Sequence, residues 1–188
     1  KEAAPRKDYL SVQGLPALRS AIAEFHNTLQ GTDYGPGQIV VGPGSKMLIY
    51  CVLAAFKKAT VMMANPSWVS YEPQAELLDH DVVRLETNYE GRWRVTPDML
   101  IGACQDKKNP EQPKILILNY PGNPDGLTYS EKELAGLAKT ARDHGILIIS
   151  DEIYGLLHHE GHHHSIQNSY PEGVIVTTGL SKWCGAGG

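Results

Sequence analysis

The sequence has 188 residues, 41% hydrophobic and 20% charged, with a formal net charge of -4. Those values fit a soluble globular domain with a real core. They exclude the basic footprint of a nucleic-acid binder, and no run nears the roughly 18 consecutive apolar residues of a transmembrane helix. Along the chain, Leu15, Leu18, Ile22 and Phe25 share one face at helical spacing. Ile39-Val-Val41 reads as a short strand, broken by Gly42-Pro-Gly44 before a helix from about Ser45 to Lys57. A strand at Val61–Ala64, a helix from Trp68 to Leu78 and a strand at Asp81–Leu85 follow. Thr96 is placed to cap a helix whose first residue is Pro97. Lys114–Leu118 reads as a strand buried on both faces. Ser130-Glu-Lys-Glu133 has capping-box spacing for a helix that Gly145 ends near His144. Ile146–Ile149 and Val174–Thr177 read as two more fully buried strands.

Helices alternating with apolar strands predict an α/β fold, a three-layer wound and mainly parallel sheet, with no linker dividing the chain. In such sheets ligands gather at the strand carboxyl ends. The polar and glycine-rich stretches fall there: Gly42–Lys46, Asn65–Trp68, Asn119–Gly126, Asp151–Tyr154 and Gly179–Lys182.

Each carries two readings. Gly42-Pro-Gly-Ser-Lys46 opens a helix, so its N–H groups can hold a phosphate, or it is an ordinary turn. Asp151 at a strand mouth wants a cationic partner, or caps the next turn. Lys182 is a surface lysine, or a cleft lysine able to form a Schiff base. The run His158–His164 reads as a solvated loop in preference to a metal site, because adjacent imidazoles cannot all face one ion. Cys51, Cys104 and Cys184, odd in number and without CxxC spacing, argue for a reducing compartment. The start at Lys1 without Met or an apolar h-region, and the end in Gly185-Ala-Gly-Gly188, read as cuts, so a fragment is expected.

Together the motifs resemble the class I/II (aspartate-aminotransferase-like) aminotransferases among fold-type-I pyridoxal 5'-phosphate (PLP) enzymes. The matching stretches are Tyr9-Leu-Ser-Val-Gln-Gly14 with Leu18-Arg19, Asn119-Tyr-Pro-Gly-Asn123-Pro-Asp-Gly126, Asp151-Glu-Ile-Tyr154 and Ser181-Lys182. The resemblance implies that residues 1–188 are the PLP-binding large domain, truncated at both ends and lacking the C-terminal small domain. It implies that Lys182 carries PLP as a Schiff base and moves a proton, and that Asp151 pairs with the pyridine nitrogen. Asn123 and Tyr154 would bond the ring's phenolic oxygen, with Trp68 on the ring face or simply in the core. Gly44, Ser45 and Lys46 would hold the phosphate, and Tyr9 would reach the phosphate of a neighbouring subunit in a homodimer. Asn119 is a candidate for substrate carboxylate binding or a structural strand-end residue.

The implied function is amino-group transfer between an L-amino acid and a 2-oxo acid in a cytoplasmic, biosynthetic setting. The alternatives are another PLP reaction (β-lyase, decarboxylase or cyclopropane-forming synthase) or an inactive fragment. Asp125 stands where the family signature has Thr, and Gly179 where many members place a phosphate-binding hydroxyl. The family's arginines for phosphate and substrate carboxylate lie beyond the last residue.

Overall fold

The computed structural model describes residues 9–105, 111–159 and 161–187. Contacts divide the chain into two compact units, residues 1–43 and 44–188. The sequence shows no linker there. The boundary falls in the Gly42-Pro-Gly44 turn, and the strand expected at Ile39–Val41 does not form. The Val41 N–H donates to the Gln13 carbonyl at 2.9 Å, a tie within the first unit, and among the described residues no sheet ladder includes Ile39–Val41.

In the first unit, helix α1 spans Pro16–Gln30, with Pro at its start. It ends at Gly31, in left-handed conformation, whose N–H donates to the Asn27 carbonyl. The anticipated apolar face exists but is thinly covered: Leu18 and Phe25 are exposed, and Ala23 is the buried residue of the helix.

The second unit contains α2 (Ser45–Ala54), β1 (Thr60–Asn65), α3 (Tyr71–Leu77), β2 (Asp81–Glu86) and α4 (Pro97–Cys104), then β3 (Lys114–Asn119), α5 (Glu131–Asp143), β4 (Ile146–Asp151) and β5 (Val174–Thr177). The five strands form one all-parallel sheet in the order β2-β1-β3-β4-β5. Strand alternation divides the core between the two faces. Val61, Met63, Ile115, Ile117 and Ile149 point to the side where Ile49 and Leu53 of α2 and Tyr71 and Ala75 of α3 pack. Met62, Leu116, Leu118, Ile146 and Ile148 point to the other side, against Leu100 of α4 and Leu134, Leu137 and Ala141 of α5. This is the three-layer α/β arrangement anticipated from the alternating elements.

Both anticipated caps are present. The Thr96 side chain accepts from the Met99 N–H, and Ser130 and Glu133 form a reciprocal capping box.

Three boundaries differ from the sequence reading. Helix α2 stops at Ala54, because the Ala55 and Phe56 N–H groups tighten to the carbonyls of Val52 and Leu53. Helix α3 begins at Tyr71 instead of Trp68, which leaves Trp68 in the preceding turn. Among the described residues strand β5 pairs with β4 alone, with Ile175 exposed and Val174 and Val176 half-buried, so here it is not the fully buried strand its apolar letters imply. Neighbours on one side only decide that, and composition does not report them.

Candidate functional site

Strand β1 connects onward to β2 on one side, while β3, β4 and β5 continue on the other. The winding therefore reverses between β1 and β3, the point where open parallel sheets leave a crevice beyond their carboxyl ends. A cavity of about 250 Å³ lies there, lined by Gly44, Ser45, Lys46, Trp68, Tyr71, Asn119, Asn123, Asp151, Ile153, Tyr154, Ser181 and Lys182. It brings together nine of the ten residues singled out in the sequence. The tenth, Tyr9, belongs to the other unit and is fully exposed.

Asp151 is the last residue of β4 and is buried. Its Oδ2 accepts from the Tyr71 hydroxyl at 2.6 Å. Its Oδ1 accepts from the Ile153 N–H and the Thr177 hydroxyl, both at 3.3 Å. Burial pushes the carboxyl above the ordinary carboxylate range, and these three donors oppose the shift without cancelling it. The two readings of Asp151 thus merge. It closes the next turn through Ile153, and it is also a poorly solvated carboxylate facing a cavity.

Helix α2 starts at the cavity without a side-chain cap, since Gly44 has none to offer. Gly44 sits at φ 93, a conformation open to glycine and strained for other residues. The first turn at Ser45 and Lys46 therefore offers backbone N–H groups with the positive end of the helix behind them, an arrangement suited to an anion. The Lys46 ammonium lies 5.4 Å from the Trp68 ring centroid, and Trp68 meets Tyr71 edge-on at 5.3 Å. The Lys182 ammonium lies 5.6 Å from the centroid of Tyr154. Lys182 is exposed, as a surface lysine would be, yet it lines the cavity mouth.

Asn119 has structural employment. Its Nδ2 donates to the Asp151 carbonyl at 2.9 Å and its Oδ1 accepts from the Asn123 N–H at 2.8 Å. Those bonds hold the ends of β3 and β4 together beneath Asn123. Asp125, the departure from the family signature, accepts from the Leu127 N–H at 3.0 Å and so closes its own turn.

The sequence reading missed Tyr71 and Thr177. Tyr71 follows Trp68 by three residues at a helix start, so its letters read as core packing. Only the approach of α3 to the end of β4 gives its hydroxyl a partner.

The histidine run also needs correction. His162 and His164 are exposed, as a solvated loop requires. His163 instead turns inward, and its Nε2 meets Oε2 of the buried Glu152 at 2.7 Å. Glu152 Oε1 accepts from the hydroxyls of Ser150, Ser165 and Tyr120. The His163 ring stacks on Tyr120 and lies so near Gly155 that a Cβ there would stand 3.0 Å from it. A single carboxylate buried next to Asp151 recruits one histidine of the run, which spacing alone does not reveal. Among the described residues no group of three or more His, Cys, Asp or Glu is placed to hold a metal ion. Replacing His163 with alanine leaves Glu152 buried without its nitrogen partner. The expected loss is about 3 kcal/mol of stability, read as a lower urea midpoint at unchanged slope.

A cavity beside the reversal of a wound parallel sheet marks a ligand-binding α/β domain. The family model for aminotransferases of class I and II matches residues 1–188, and the chain belongs to that family. It is 36% identical over 180 residues to an asparagine–oxo-acid transaminase of Streptococcus mutans, covering 93% of this chain and 44% of that protein. It is 35% identical to an aspartate aminotransferase of Bacillus sp. strain YM-2, covering 93% of this chain and 45% of that protein. Among solved structures, the aspartate aminotransferase of Thermus thermophilus with maleate superposes with a TM-score of 0.84 at 30% identity, over 92% of this chain and 44% of that one. The chain spans less than half the length of these relatives. Among the described residues no helix is long and apolar enough to cross a membrane.

Proposed function

We propose that the chain is the PLP-binding large domain of an enzyme that transfers an amino group between an L-amino acid and a 2-oxo acid, with Lys182 as the covalent attachment point. The observation that carries this reading is Asp151, a buried carboxylate held by three donors on the wall of a cavity that Lys182 and Trp68 also line. Such a carboxylate calls for a cationic partner, and the protonated pyridine nitrogen of PLP is one.

The rest of the cavity fits the same group. The uncapped start of α2 with the Ser45 hydroxyl suits a phosphate. Trp68 offers an aromatic face, and Asn123 and Tyr154 offer donors for a phenolic oxygen. When bound, PLP supplies the electron sink that stabilises negative charge at the substrate Cα. The chain's own groups do the rest. Asp151 would pair with the ring nitrogen and favour its protonated form. Lys182 would hold the cofactor through its amine and, once that amine is free, would accept and carry the proton of the substrate Cα. Tyr154, beneath the Lys182 ammonium, keeps that amine at the cavity mouth.

The family resemblance also supports a homodimer in which Tyr9 reaches the neighbouring subunit's phosphate. The three cysteines are free, in keeping with a reducing, cytoplasmic location. The names of the relatives make L-aspartate the first substrate to test. Incubating the PLP-loaded chain with L-aspartate is expected to give the corresponding 2-oxo acid in an amount equal to bound cofactor, without ammonia. Prompt ammonia or carbon dioxide release would instead place the chain with the lyases or decarboxylases, and no visible absorbance band on adding PLP would overturn cofactor binding altogether.

A further inference from the structure

We infer that Tyr71 is the positioning residue of Asp151: its hydroxyl donates to the carboxylate and fixes its direction at the cavity wall. The inference rests on the role proposed above for Asp151 and extends it to a residue of a different element. The geometry is specific. Tyr71 is the first residue of α3, its ring is fully buried, and its only short-range latitude is removed by packing on Trp68 and the α2–α3 core. Its hydroxyl meets Oδ2 at 2.6 Å, shorter than the two contacts at Oδ1. A bond of that length to a carboxylate belongs with the strong, charge-assisted kind.

The arrangement divides the carboxylate. Oδ1 is tied to the ends of the sheet itself, through Ile153 after β4 and Thr177 of β5. Oδ2 is tied across 80 residues of sequence to a helix on one face of the sheet. Two anchors on different elements fix the plane of the carboxyl group, which one anchor leaves free to turn about χ2. Burial and the Asp151 charge also push the phenol well above its ordinary range, so Tyr71 stays a donor at any working pH. Of the groups that oppose the upward shift of Asp151, Tyr71 is the largest.

The test is Tyr71→Phe in the full chain, which keeps the ring and removes the donor. Carbon-13 NMR of the aspartate carboxyls, assigned with Asp151→Asn, reads the Asp151 midpoint without cofactor. The expected result is a midpoint about 1 pH unit or more higher in Tyr71→Phe, and PLP held roughly tenfold more weakly. An unmoved Asp151 midpoint in a folded variant, even one of lower melting temperature, would overturn the inference and leave Tyr71 a packing residue. Should the variant not fold, the unaltered chain decides. With tyrosine labelled at Cζ, the Tyr71 resonance is expected to shift at the Asp151 midpoint, and a flat signal there overturns the coupling. Failure of PLP to bind the unaltered chain would count against the proposed function alone, because the NMR midpoints are read without it.

Discussion

Lys182→Ala is expected to abolish the visible absorbance band that PLP develops on the chain and to lower amino transfer by at least about a thousandfold. The band reports a covalent bond from a lysine amine to the cofactor. In the proposed function the same amine would carry the proton between two carbons, and a positioned acid–base group contributes on the order of 10²–10⁴. Lys182 lines the cavity over Tyr154. By contrast, Lys58 is a surface lysine paired with Asp79 and Asp81. Lys58→Ala is therefore expected to leave the band intact. Absorbance titration with PLP on both variants checks this directly. A band that survives in Lys182→Ala assigns the attachment to another lysine and removes the central claim of the proposed function.

Asp151→Asn is expected to uncouple function from stability. Removing the charge proposed to face the cofactor nitrogen is expected to lower amino transfer by roughly 10²–10³, the scale of losing one preorganised electrostatic contact. Without PLP, the same variant is expected to melt higher than the unaltered chain at neutral pH. The sign follows from the direction of the shift. Burial holds the Asp151 carboxyl above the ordinary carboxylate range in the fold. Its contribution is therefore fully present below the unfolded value and lost as pH rises through the folded value. An amide does not ionise, so the variant escapes that loss, and the Tyr71 hydroxyl can turn to accept from the amide. Added PLP should reverse the ranking, because only the unaltered chain gains the full stabilisation of binding. Melting curves with and without PLP, across acid to neutral pH, make the comparison. A variant that melts lower at neutral pH without PLP would show that the ionised carboxylate stabilises the fold.

These expectations separate two kinds of buried carboxylate on neighbouring residues. Glu152 is satisfied by three hydroxyls and His163 on the α4–α5 side of the sheet. Asp151 turns to the opposite side, where it meets Tyr71 and the cavity. Strand alternation sends adjacent residues to opposite faces, so one carboxylate braces the structure while the next faces the cavity. Loss of His163 should therefore affect stability, while loss of the Asp151 charge should affect cofactor binding.

The sequence alone determined the elements whose cause is local. Apolar runs at Lys114–Leu118 and Ile146–Ile149, the cap at Thr96 and the capping box at Ser130 need only neighbours along the chain, and each is present. It also pointed to the strand ends that line the cavity, because glycine, proline and polar residues gather where a buried strand must stop. Tertiary structure decided what depends on distant partners. Among the described residues Ile39–Val41 pairs with no strand and β5 with β4 alone, and apolar letters do not report pairing. Tyr71 becomes a donor to Asp151, and His163 a partner of Glu152, because folding brings α3 to the end of β4 and turns one histidine of a polar run inward. A hydrogen bond across 80 residues has no period and no local signature; it exists only once the sheet has placed both ends.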